Sequence, residues 1–186
     1  MKGMYKRVSL AFAAVLTLIS GPFVHAEGEG VYMLTEPQIA AIKANCHSIQ
    51  STLTRIHTND ALSRVHLGQE YETISTKFMA PMNSRAALMK LNGVELAKTT
   101  VEFNDKLNTF RSRYQQYEQL LLRPIQMKCA DQPVAFYDSI VEARDARALV
   151  KEMVGELASL ATQYAGQVKE LRTEALSPEA KAEAST

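Results

Sequence analysis

Apolar residues recur along most of this chain at alternating steps of three and four, the spacing that lines one side of a helix. The first run passes through Ile39, Ile42, Cys46, Ile49, Leu53 and Ile56. After "HTND" (57–60) it resumes out of phase with Leu67, Tyr71, Ile74 and Phe78. Asn59 and Asp60 are good caps, so a bend or break of the first helix is expected there. "MAPMNS" (79–84) is the next punctuation, where Pro81 is expected to end one helix and Asn83 or Ser84 to cap its successor. The second run, from about 84 to 123 by these signals, holds Met89, Gly93, Leu96, Thr100, Phe103, Leu107, Phe110, Tyr114, Tyr117 and Leu121 without a slip. Pro124 is expected to stop it. The third runs Phe136, Ile140, Ala143, Arg147, Val150, Val154, Leu157, Ala161, Tyr164, Val168 and Leu171.

A 3.5-residue repeat held over about five heptads is a coiled-coil pattern. The three segments are each roughly 40 residues, or about 60 Å at helical rise. Short connections make neighbouring helices antiparallel. The expected fold is all-α, an elongated antiparallel three-helix bundle or coiled coil running up-down-up. The alternative is a long two-helix hairpin whose third helix comes from a second copy. Phe103, Phe110, Tyr114, Tyr117 and Tyr164 sit at seam positions and are expected to be core. Leu149, Met153 and Leu160 widen the stripe of the third helix, which serves either a broader internal face or self-association.

The N-terminus follows a different rule. Lys2, Lys6 and Arg7 precede the apolar stretch 10–19, Gly21 and Pro22 break it, and "VHA" ends at Ala26. That is the pattern of a secretory signal peptide, 1–26, cleaved after Ala26. Retention as an uncleaved anchor is the alternative, although the apolar stretch is short for a span. A flexible lead-in segment (27–34), a single helical-bundle domain (35–176) and a disordered tail (177–186) are expected to follow. Loss of Lys2, Lys6 and Arg7 from 21 Lys+Arg leaves 18 against 20 Asp+Glu, a net charge of −2. Without a concentrated basic stripe, nucleic acid is not expected as a partner.

Motif chemistry is sparse. The chain has no nucleotide-binding glycine loop, no nucleophile elbow and no Cys-x-x-Cys. His66 and Glu70 could share one helix face as two metal ligands, but His47 and His57 add no third at a fitting spacing. Met79, Met82 and Met89 could hold soft copper(I) or fill core gaps. Arg147 stands on the apolar seam of the third helix with Arg144 one turn before it. A guanidinium there needs carboxylate partners, so the pair marks either an ion pair with a neighbouring helix near the end of the bundle or a site for an anionic ligand or partner.

The two cysteines, Cys46 and Cys129, bear on compartment and shape. Cys129 lies in "QMKCADQPVAFYD" (126–138), the turn between the second and third segments. An even cysteine count in an exported chain points to an intrachain disulfide. Cys46 lies well inside the first helix, so the turn is expected to fold back along the bundle to reach it. An intermolecular bond or free thiols are the alternatives.

"LTEPQ", Leu34 to Gln38, reads as a capping box with Thr35 as N-cap. It also resembles the Leu-Thr-x-x-Gln motif of periplasmic stress chaperones of the Spy and CpxP type, which implies an exported, all-helical protein without a catalytic site. That family usually carries the motif twice; here it occurs once, beside two cysteines and three full-length heptad segments that depart from the family's hairpin.

The expected function is therefore an exported, non-enzymatic helical bundle acting as an interaction or scaffold protein in the periplasm or at the cell surface. A protein partner, a capacity to self-associate and no cofactor are expected. The alternatives are a holdase-type chaperone or hydrophobe carrier and, behind it, a metal-binding bundle.

Overall fold

The computed structural model describes residues 33–176. The expected signal peptide, the lead-in apart from Met33 and Leu34, and the tail lie outside the described residues. Every element among the described residues is helical. Helix α1 (Glu36–Thr73) passes through a π-helical turn (Ile74–Met79) into α2 (Ala80–Leu88), followed by α3 (Val94–Gln126) and α4 (Pro133–Ala175). Gln50 meets Met127 and Ser75 meets Asn104, so α1 runs antiparallel to α3. Arg123 meets Glu142 and Lys106 meets Glu156, so α4 reverses again. This is the up-down-up bundle the heptads predict.

Helix α1 starts where expected. The backbone N–H of Thr35 donates to Gln38 Oε1 at 2.8 Å, and Ile39 N–H donates to the Thr35 carbonyl at 3.0 Å.

The expected interruptions do not occur where the caps and prolines suggest. Residues 57–60 continue α1 without a break, because the Asp60 carboxylate is held by tertiary partners rather than by a helix N-terminus. Pro81 does not end the helix either. The widened π turn, closed by the Ala80 N–H on the Ser75 carbonyl, comes just before Pro81, which stands in the first turn of α2 while the helical path continues through it. The same turn moves the inward face on by one residue. Tyr71, Ser75, Met79 and Ala86 are buried, whereas Phe78, read as a seam residue, is 64% exposed.

The chain reverses later, at Lys90–Gly93. Leu91 N–H returns to the Ala86 carbonyl at 2.9 Å and Lys90 N–H to that of Ala87 at 3.1 Å, a Schellman closure with Lys90 at φ 56°. Lysine is strained in this left-handed conformation. Lys90→Gly is expected to stabilise the chain by about 0.5–1 kcal/mol, seen as a higher urea midpoint with an unchanged slope. Gly93, read as a seam residue, caps α3; a Cβ there would stand 3.1 Å from that of Ala86. Pro124 lies in the last turn of α3 without stopping it. The carbonyls left over at that end are met by Gln50 Nε2, which lies 3.2 Å from Pro124 O, 3.1 Å from Ile125 O and 2.7 Å from Met127 O.

Helix α4 packs chiefly on α3, and α1 touches the pair much more sparsely. The interior is divided. One core, toward the α2–α3 turn, gathers Tyr71, Met79, Leu96, Phe103, Phe110, Leu157 and Tyr164, with Tyr71 edge-on to Phe103 and Phe110. The other, toward the α3–α4 turn, gathers Leu53, Tyr114, Tyr117, Leu121, Cys129 and Phe136. Met153 and Leu160 pack in the first core, and Leu149 is 40% exposed. At the π turn the Tyr164 hydroxyl lies 3.0 Å from the Met79 carbonyl and 2.9 Å from Asn83 Oδ1, while Asn83 Nδ2 donates to Thr100 Oγ1 at 2.8 Å. Tyr164→Phe removes the one hydroxyl donor that these two acceptors share and is expected to cost about 1–2 kcal/mol in chemical denaturation.

Candidate functional site

Between the two cores α1 has no fully buried residue from Leu53 to Tyr71. The side chains facing the bundle over that stretch are Ile56, His57, Asp60, Arg64 and Leu67, and the polar ones govern the packing. Asp60 and Arg64 are one turn apart on α1, so both face the same groove. Phe110, Tyr114 and Tyr117 recur at helical spacing on α3, and Arg144, Arg147, Lys151 and Val154 on α4. Together they line a cavity of about 410 Å³, open on one side.

Arg147 is the centre of the polar part. Its Nε donates to Asp60 Oδ2 at 2.7 Å and its Nη2 to Oδ1 at 2.9 Å, a two-pronged pair. The Tyr117 hydroxyl donates to the same Oδ2 at 2.6 Å. The Arg147 side chain is 56% exposed and Asp60 only 18%. Ala143 and Ala146 occupy the buried line of α4 instead, so the arginine stands on the rim rather than on the seam. It also lies mid-bundle, level with the middle of α1, and not near an end. Burial pushes the Asp60 carboxyl up, but the hydrogen bonds from Arg147 and Tyr117 outweigh it, and the acid is held below its ordinary range. Burial, followed by the charges of Glu118 and Asp60, pushes the Tyr114 phenol up to about 12. Burial and the bond to Asp60 raise Tyr117 as well. Both phenols therefore remain protonated donors at neutral pH.

The other cations lack such partners. Among the described residues no carboxylate lies within ion-pair distance of Arg64, Arg144 or Lys151. Arg64 lies over the Tyr114 ring at 5.0 Å, and its buried Nε has no hydrogen-bond acceptor among the described residues. Arg144 and Arg147, read as a pair from the sequence, do line one groove. Asp60, Arg64, Tyr114 and Tyr117 were not legible as site residues. The demand of a seam arginine for a carboxylate was a signal for Asp60, but choosing that residue required the helix register.

Cys46 and Cys129 are joined, with their Cα atoms 5.7 Å apart, and neither is free. The turn does not fold back to reach Cys46. Because α1 and α2 together extend to Leu88, the end of α3 stands beside Gln50, and the turn meets Cys46 directly. Of the residues considered for metals, His66 and Glu70 are 3.9 Å apart and largely exposed, with no grouping of three His, Cys, Asp or Glu among the described residues. Met79 is buried and Met82 packs against the same core, whereas Met89 is 65% exposed; the three do not converge. No helix among the described residues is long and apolar enough to cross a membrane.

Compared with known proteins, the chain matches no family model, no curated protein and no solved structure.

Proposed function

We propose that this chain is an exported, non-enzymatic interaction protein of the periplasm or cell surface, and that the mid-bundle groove is its recognition site. The observation that carries this is the composition of the groove: guanidinium, ammonium and protonated phenol donors around an apolar floor. Those are groups that bind and orient; the acid among them, Asp60, is already held by Arg147 and Tyr117. The joined cysteines support an oxidising compartment. The bundle acts as the scaffold, with α1 clasped to α3 and α4 at both ends of the groove.

A photocrosslinking residue at Ala148, which lines the groove, is expected to trap an envelope component in living cells. The same residue at exposed Lys43 of α1 is expected to trap far less. Equal labelling at both positions, or none at either, would remove the groove as the recognition site. Fractionation addresses export separately: a mature chain beginning at Glu27 is expected outside the cytoplasm, and full-length chain retained inside would contradict it.

A further inference from the structure

We infer that the groove binds a single-chain amphiphile with an anionic head. This rests on the groove being the recognition site and names what it recognises. The lining is graded along the helix axes. At the level where Asp60 meets Arg147 and Tyr117, the wall is polar. One turn further along α1, Arg64 lies over Tyr114. Past that level the lining becomes apolar, with Leu67, Phe110 and Val154 running into the core that holds Tyr71 and Phe103. A small inorganic anion would leave this apolar end wet, and a neutral hydrocarbon would leave the cations without a partner. A molecule with an acidic head and one acyl chain satisfies both ends.

Three features point to the head. Arg64, Arg144 and Lys151 lack carboxylate partners among the described residues, and the buried Nε of Arg64 has no acceptor among them. Arg147 is neutralised by Asp60 and forms the wall behind them. A carboxylate or phosphate beside Arg64, whose Nε is buried, gains charge-assisted hydrogen bonds there, and the exposed Arg144 and Lys151 on the rim of the groove add attraction. The chain then covers Leu67, Phe110 and Val154. A cavity of about 410 Å³ falls within the roughly 300–1,000 Å³ of small-ligand sites, which suits one acyl chain. Helix α1 is held at the disulfide and at the π turn, and has no fully buried residue between Leu53 and Tyr71, so this span can yield to a chain entering from the open side.

The test uses the full mature chain with its disulfide intact and ligands below their micellar concentrations. Displacement of a fluorescent fatty-acid analogue and native mass spectrometry read the binding. Oleate and oleoyl lysophosphatidic acid are the acidic probes; oleyl alcohol and inorganic phosphate are the controls. One acidic amphiphile per chain is expected, with oleyl alcohol at least about tenfold weaker and phosphate not competing. The tighter of the two acids identifies the head as carboxylate or phosphate. Arg144→Glu with Lys151→Glu is expected to weaken the acid by about tenfold or more while leaving the alcohol unchanged. Val154→Asp is expected to weaken both. Far-ultraviolet circular dichroism confirms that each variant is folded. Equal affinity for acid and alcohol, competition by phosphate, or indifference to the charge reversals would overturn the proposal. Adducts at Ala148 that contain only protein, with no uptake of either acid, would overturn this inference and leave the groove as the recognition site.

Discussion

Replacing Cys46 and Cys129 together by alanine is expected to destabilise the chain by about 4.5 kcal/mol, the largest effect of any change considered. The bond spans 83 residues, and the entropy of the unfolded chain released by cutting so long a loop sets that figure in the chain-entropy model. Apart from the bond, this part of α1 is held by Leu53, by partly buried Ile42, Ile49 and Ile56, and by Gln50 at the end of α3, and Leu53 is its one fully buried residue before Tyr71. At about 2–4 °C per kcal/mol for a chain of this size, the melting temperature should fall by roughly 9–18 °C. Reductant added to the native protein should reproduce the shift and leave the variant unaffected. Hydrogen exchange should locate the loss in α1 from Glu36 toward Ile56, with α3 and α4 protected until global unfolding. A variant that melts with the parent, or native protein with two free thiols, would contradict the clasp.

Asp60→Ala has the second largest expected effect. It leaves the Arg147 guanidinium and the Tyr117 hydroxyl without their shared acceptor. Breaking a fully buried pair costs about 3–5 kcal/mol. Arg147 is more than half exposed, and solvent screening reduces the expected loss to about 2 kcal/mol. Arg147→Leu should cost less, because Asp60 keeps its bond from Tyr117. A double-mutant cycle should return a coupling of about 1–2 kcal/mol.

The pH dependence has a definite sign. Asp60 is held below its ordinary value of 3.8 in the folded chain, so its contribution is complete above that value and is lost as pH falls through the lowered one. Asp60→Asn should therefore flatten the acid limb of the stability curve and leave its neutral plateau lower. An unchanged acid limb in this variant would show that Asp60 carries no such linkage.

Much of the fold was legible because it depends on local periodicity. The runs from Leu96 to Leu121 and from Phe136 to Leu171 declared two helices whose inner faces are the observed cores, and Thr35 with Gln38 declared the first helix start. The turn holding Cys129 was also correctly placed, since Lys128 to Gln132 interrupts both patterns. The errors came from residues with two uses. Asp60 is a good cap and a good ion-pair partner, and only the approach of Arg147 selects between them. Pro81 stops a helix or opens one, and the π turn before it made it the latter. A reversal at Pro81 would place Arg147 near an end and demand a detour of the turn that holds Cys129; the observed reversal at Lys90–Gly93 removes both.

By itself the sequence determined the helical class, the number of long segments and the seams that face inward. These follow from short-range spacing and side-chain chemistry, which act before helices meet. Only the tertiary structure decided the register between helices, and with it the meeting of Asp60 with Arg147 and Tyr117, the separation of the two cores and the graded groove between them. The physical reason is that register is a sum of distant contacts. A π turn of six residues, Ile74 to Met79, shifts which side chains meet across the bundle, while the local heptad pattern hardly records it.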